Sequence, residues 1–343
     1  MQRLAFALVF ILAFSQTVFA KGIQLIGAGS TFGYPLYARM AQAYYKKTGV
    51  MVNYQPIGSG GGQRQLLNKI VDFGASDVFM TNEQLKDAPA KILHLPTCLG
   101  AVAITYNLPG NPVLRFTPSV LADIFLGKIT HWNDPRIQKI NPRVSLPNLP
   151  IATIHRSDGS GDTGIFTDYL SKVSREWKAN VGEGLSVNWP GGLASKGNEG
   201  VAGLIRQIPG SIGYVTLVYT LQNHMPQAFI ENKHGFFIKP TLESVSLSAN
   251  VPLPPDTRVL VTNSNAPKAY PISGFTWLLF YKEQDYNGRS LAQAQALAKF
   301  LWWVVHEGQA FTKPMEYAPL PPKAVKLDEK ILKSMTYNGK PIL

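Results

Sequence analysis

The chain has 343 residues, of which 45% are hydrophobic and 16% charged, and carries a formal net charge of +12. That length suits two domains, each burying its own core, and the composition excludes a disordered chain. The only cysteine, Cys98, excludes an internal disulfide. Its apolar surroundings from Ile92 to Ile104 fit a buried, inert thiol. Lys and Arg are scattered apart from Lys46-Lys47 and the stretch from Lys323 to Lys333. No nucleic-acid motif accompanies them, so the charge reads as an anion-attracting field and not as a duplex-binding stripe.

In chain order, residues 1–20 read as a secretory signal peptide. Arg3 precedes a wholly apolar run from Leu4 to Phe14, and Val18-Phe19-Ala20 has the form of a cleavage site. The mature chain is expected to begin at Lys21. The run is short for a membrane span, no Cys near the cut invites lipid attachment, and no later segment is long and apolar enough to cross a bilayer. Ile23–Ala28 reads as a strand and Tyr34–Thr48 as a helix capped by Gly49. Val50–Ile57 reads as a strand, Gly58–Gly62 as a loop, Gln63–Val71 as a helix, and Phe73–Asp77 ends a third strand. This βαβαβ rhythm predicts an open, parallel-type sheet with ligands beyond the carboxyl ends of its strands. Further along, Gly100–Asn107 is strand-like. Thr117-Pro118 starts a helix that Gly127 ends. Ile151–His155 is a strand, Gly164–Val173 helical and Ile212–Val218 a strand. Pro- and Asn-rich sequence fills Asn250–Pro271, Pro271–Tyr281 is strand-like, and Leu291–His306 is an apolar helix. No internal repeat is present.

The chemistry concentrates in Arg156-Ser157-Asp158-Gly159-Ser160-Gly161-Asp162-Thr163-Gly164. Glycines let backbone N–H groups approach a small anion, and an arginine supplies charge and a planar donor fork. A helix N-terminus here adds orphan N–H groups and a favourable dipole. The carboxylates help a ligand only if it brings a proton, so an acid that touches it narrows the ligand to a protonated oxyanion such as hydrogen phosphate. Asp158 alone suits a bracing role on Arg156. Three further stretches sit where strands enter helices: Gly27-Ala28-Gly29-Ser30-Thr31-Phe32, Gly58-Ser59-Gly60-Gly61-Gly62, and Asp77 after Ser76. Each by itself also suits a tight turn, a flexible loop or a helix cap.

Other chemistries fit poorly. Gly159, Gly161 and Gly164 spell a dinucleotide fingerprint, but Asp158 and Asp162 would repel a pyrophosphate. A calcium loop fails because its sixth position is Thr163 and its twelfth Tyr169. No Gly-Lys-Ser/Thr makes a P-loop of the Gly58 stretch. The six His are dispersed without metal-ligand spacing, and Ser160 lacks the nucleophile-elbow pattern.

Taken together and in this order behind a signal peptide, the four stretches resemble the pocket motifs of periplasmic phosphate-binding proteins of ABC-type phosphate transporters. Leu126–Ile129, Trp132–Asp134, Lys196-Gly197-Asn198-Glu199-Gly200, Gly210–Val215 and Leu320-Pro321 resemble that family's scaffold landmarks. The resemblance runs over most of the mature chain. It implies an α/β, two-lobed periplasmic-binding-protein fold (type II), with the cleft between lobes and two hinge crossings. Lobe I is expected from residues 21–105 and 268–343, lobe II from 106–267. The crossings are expected near Thr105–Leu108 and near Pro271. It implies that Thr31 and Phe32 donate to phosphate, Phe32 by its N–H, and that Ser59 donates through side chain and backbone. Asp77 accepts the proton of hydrogen phosphate, Arg156 donates while Asp158 holds it, and Ser160 and Gly161 complete the cradle. Asp162 stands where many members have a Thr, and is expected to favour the more protonated form of phosphate. The resemblance further implies a monomeric, non-enzymatic, periplasmic binding protein without cofactor, metal or nucleic-acid partner, delivering inorganic phosphate to an inner-membrane ABC permease.

Overall fold

The computed structural model describes residues 22–343. The expected signal peptide and its cleavage after Ala20 lie outside them. Eight strands form one sheet: β1 (Gln24–Gly29), β2 (Met51–Pro56), β3 (Phe73–Ser76), β4 (Ile92–Tyr106), β5 (Ala152–Arg156), β6 (Leu193–Ser195), β7 (Ser211–Thr216) and β8 (Ser273–Tyr281). Their order is β2-β1-β3-β8-β4-β7-β5-β6. Beside them run α1 (Tyr34–Thr48), α2 (Ser59–Leu67), α3 (Pro118–Phe125), α4 (Gly161–Val173), α5 (Gly197–Gln207), α6 (Leu217–Gln222), α7 (Leu291–Val305) and α8 (Pro322–Lys333).

The sheet is mixed, which corrects the parallel-type expectation. β1 pairs in parallel with β2 and β3, and β5 with β6 and β7. β8 is antiparallel to both β3 and β4, and β4 is antiparallel to β7. The early βαβαβ rhythm describes only its own half of the sheet, because β8 returns from far along the chain to lie beside β3. β4 joins the two halves. Its Ile92–Ala101 stretch pairs with β8, whereas Val102–Tyr106 pairs with β7.

Local chemistry explains most boundaries. α1 begins with Pro at its first turn and ends at Gly49, whose φ of 74° makes the left-handed cap. The Thr117 hydroxyl accepts from Val120 N–H to cap α3. The expected Gly58–Gly62 loop is instead the first turn of α2. The run is glycine-rich because that turn presses on strand ends: a Cβ on Gly62 would stand 2.5 Å from Ala28 O and 2.8 Å from Ala75 O. α4 likewise starts at Gly161, three residues earlier than expected, with Ser160 as its cap. β4 extends back to Ile92. It is buried along nearly its whole length, so no alternation betrays it. β7 ends at Thr216, and the apolar run beyond it is the buried start of α6.

Candidate functional site

Parallel register brings the carboxyl ends of β1, β2 and β3 together, with Gly29 opposite Pro56 and Ala75. The residues just beyond those ends therefore converge. Asp77 follows β3 and is 1% exposed. The Ser30 hydroxyl donates to its Oδ1 at 2.6 Å, and the Ser59 hydroxyl donates to its Oδ2 at 3.1 Å. Asp77 N–H in turn donates to Ser59 Oγ at 3.2 Å. Ser30 lies in the turn that precedes α1 and Ser59 opens α2, so the turns after β1 and β2 both reach this carboxylate.

The second half supplies the cation. Arg156 ends β5, buried, with Nε and Nη2 donating to Asp158 at 2.8 and 2.5 Å. Nη1 donates to Asp162 Oδ2 at 3.0 Å. A guanidinium has five N–H donors, so two remain after these bonds. Burial opposes the charge on Asp158, but the Arg156 guanidinium holds its carboxyl below the usual carboxylate range. Asp162 is buried as well, which pushes its carboxyl up. Arg156, Thr216 and Asn198 pull it back. Thr216 Oγ1 donates to Asp162 Oδ1 at 2.7 Å, and Asn198 Nδ2 to Oδ2 at 2.8 Å.

The two halves touch. Gly60 N–H donates to Gly159 O at 2.9 Å. A Cβ on Gly161 would stand 2.3 Å from Asp77 Oδ2 and 2.6 Å from Ser59 Oγ. The first residue of α4 thus lies directly against Asp77. Burial, and then the Asp162 carboxylate across the gap, lift Asp77 to about 7, against the hydrogen bonds from Ser30, Thr276 and Ser59. Of the two acids, Asp77 is the one whose charge the protein compensates less, because hydroxyls donate to it whereas Asp162 faces a guanidinium. The arrangement offers one buried acceptor, two guanidinium N–H groups and helix N-terminal N–H groups around one small volume. Its chemistry is that of receiving a protonated oxyanion.

The structure gathers all the expected residues around this point, with some in altered roles. Thr31 is buried, and its Oγ1 accepts from Asn198 Nδ2 at 2.9 Å. The Phe32 ring fills the space over Gly100, and its carbonyl accepts from Tyr317 Oη. Among the described residues no protein acceptor takes the Phe32 N–H. Ser160 spends its oxygen on the Thr163 N–H at 3.2 Å, so it is first a helix cap. Asp158 also accepts from Gly197 N–H at 3.1 Å, which ties the Arg156 brace to α5. Four contributors are additions to the sequence reading. Ser30 sits on Asp77, Thr216 and Asn198 hold Asp162, and Tyr219 Oη donates to Thr31 O at 2.8 Å. Ser30 lay within a recognised motif beside a strand end. Asn198 lay within the Lys196–Gly200 landmark, which was read as scaffold, whereas Thr216 at the end of β7 and Tyr219 on α6 lay in no motif of the sequence reading.

Comparison with known proteins places the chain in a family. A sequence model of the PBP superfamily domain matches residues 17–307. The phosphate-binding protein PstS of Xylella fastidiosa is 42% identical over 313 residues, covering 89% of this chain and 84% of that protein. That of Haemophilus influenzae is 41% identical over 321 residues, covering 92% and 94%. Among solved structures, the high-affinity periplasmic phosphate-binding protein PfluDING, bound with phosphate, superposes with a TM-score of 0.71 at 20% identity, over 89% of this chain and 92% of that one. The phosphate binding protein of Stenotrophomonas maltophilia gives 0.68 at 17% identity, over 90% and 92%. At such identities the structural likeness speaks for the two-lobed fold, while the sequence relatives speak for descent. The chain belongs to the PBP superfamily and, within it, to the family of the phosphate-binding proteins PstS.

Proposed function

We propose that this chain binds inorganic phosphate in a cleft between two lobes, and that it works as an exported, monomeric periplasmic protein delivering phosphate to the inner-membrane permease of an ABC transporter. Lobe I takes residues 21–105 and 268–343 and lobe II residues 106–267. The ligand residues are Thr31, Phe32, Ser59, Asp77, Arg156, Ser160, Gly161 and Asp162, with Asp158 bracing Arg156. The names of the sequence relatives support the ligand, and the contacts between the two halves of the sheet support a cleft that shuts on it.

The observation that carries the reading is Asp77. A buried carboxylate amid helix N-termini is a liability in a site for a fully ionised anion, which brings only lone pairs. Phosphate brings a proton for it. Sites that hydrogen-bond a ligand hydroxyl reject analogues lacking it by roughly 10⁴–10⁵-fold, because a buried acceptor is left unpaired. Sulfate is such an analogue; arsenate, similar in shape and protonation, is not. Binding joins donors on both lobes, so closure and occupancy are coupled, and the closed form is what a permease distinguishes. Calorimetry of the mature chain with phosphate, sulfate and arsenate, from mildly acid to mildly alkaline pH, tests this. Phosphate is expected to bind, arsenate to compete, and sulfate to give no heat at the alkaline end, where Asp77 is ionised. Absence of heat with phosphate throughout would overturn the reading.

A further inference from the structure

Asn198 lies in the first turn of α5, is fully buried, and has no ligand role in the reading above. Its amide meets three groups. Nδ2 donates to Thr31 Oγ1 at 2.9 Å and to Asp162 Oδ2 at 2.8 Å, and Oδ1 accepts from Thr216 N–H at 2.8 Å. The partners dictate which way the amide faces. A backbone N–H needs its oxygen, and an ionised carboxylate, which only accepts, needs its NH₂. Thr31 Oγ1 is therefore an acceptor towards Asn198. Its own proton remains, and among the described residues no protein acceptor takes it.

The same amide proton that meets Asp162 lands on the oxygen that also receives Arg156 Nη1. One side chain thus sets the hydroxyl rotor of Thr31 on the first half of the sheet. It also sets the carboxylate that steadies the guanidinium on the second. A core asparagine that merely satisfies the Thr216 N–H accounts for one of the three bonds. It does not account for the other two, which reach separate elements brought together only where the halves meet. Tyr219 reinforces the same junction by donating to Thr31 O.

We infer that Asn198 is a positioning residue for the ligand: it turns the Thr31 hydroxyl proton into the cleft and couples Thr31 to Asp162 as the lobes close. The inference rests on the phosphate reading. It predicts that Asn198 acts through Thr31, which a purely structural asparagine does not.

A double-mutant cycle tests it. Phosphate affinity is measured by calorimetry for the unsubstituted chain, Asn198→Ala, Thr31→Val and the pair, with melting of each variant to verify folding. Asn198→Ala is expected to weaken phosphate by roughly tenfold, as for the loss of a well-made hydrogen bond. In the Thr31→Val background the same change is expected to cost clearly less, roughly threefold, because the part that acts through Thr31 is gone and only the bond to Asp162 is lost. Asn198→Asp keeps the size but replaces the donor with an acceptor, drawing the Thr31 proton away from the ligand. Its loss is expected to exceed that of the alanine variant and again to shrink beside Thr31→Val. It carries the test if Asn198→Ala does not fold. Effects that multiply across the cycle, or unchanged affinity in a folded Asn198 variant, would overturn the inference alone. Failure of the unsubstituted chain to bind phosphate would overturn the phosphate reading and the inference with it.

Discussion

Three acids decide how this protein answers to pH. Asp77, lifted to about 7 from an ordinary 3.8, holds its proton longer folded than unfolded. The folded state then binds more protons between those values, so Asp77 makes the ligand-free chain less stable as pH rises from about 4 to about 7, with no further loss above. Asp328 on α8 acts in the same direction. Burial, and then Glu329, raise its carboxyl, and among the described residues neither of its oxygens has a hydrogen-bond partner. Asp328→Asn is therefore expected to raise the urea midpoint at neutral pH, by a margin that narrows as pH falls towards about 4. A margin independent of pH would contradict the assigned charge cost. Asp162 bears on the proposed phosphate site. As pH rises through about 7, Asp77 ionises and phosphate sheds its second proton, so negative charge accumulates beside a carboxylate already paired with Arg156. Affinity is expected to fall across that range, and Asp162→Thr, which removes one charge, to make the fall shallower. Identical pH profiles for the two proteins would sink this role.

At the scale of elements, the site is a meeting of helix N-termini, and glycines set how closely they meet. Gly161 opens α4 directly against Asp77 and Ser59. Gly161→Ala places a methyl group where the halves touch, while its own helix tolerates alanine well. Overpacking of this kind costs about 1–3 kcal/mol, or roughly ten- to a hundredfold in affinity. The variant is expected to keep its ligand-free melting temperature and lose phosphate affinity by that factor. Undiminished affinity would mean that the halves need not approach this closely. Legibility follows from the same geometry. α1 was readable from its spaced Leu36, Met40 and Tyr44 and from Gly49, because one face is buried and the cap is local. β4 was only half readable. Its first part is buried on both faces, and Pro96 argues against a strand there, yet the ladder shifts register between Thr276 and Trp277, which accommodates it. Glycine-rich turns announced the ligand loops, but α2 and α4 absorb those glycines as helix because the strand ends and Asp77 lie so near. Asn198 was visible only as part of a scaffold landmark and Tyr219 not at all, since their partners Thr31 and Asp162 lie far off in sequence.

At the scale of the molecule, β4 is the strand that joins the two halves, and in the proposed closure it would act as a bend and not a free rotation. It is pinned by β8 up to Ala101 and by β7 from Val102. Motion between the halves has to concentrate where that partner changes, and it opens the contacts on the far side of the sheet. Those contacts include Gly60 N–H to Gly159 O and the bonds from Asn198 and Tyr219 to Thr31. Interior strands β4 and β8 open only with global unfolding, whereas such a rim opens locally. Phosphate bound between the halves therefore has a spatial signature in hydrogen exchange. Protection is expected to rise at residues 58–62, 159–164 and 196–199. It is expected to change little in 273–281 until ligand excess is large enough to raise global stability, by about 2.7 kcal/mol at a hundredfold excess over Kd. Sulfate is expected to produce neither effect, because it leaves Asp77 without a proton to accept and so does not compensate for bringing that acid against α4. Phosphate protection confined to 58–62, with 159–164 and 196–199 unchanged, would show a ligand held by one half alone and remove closure from the account.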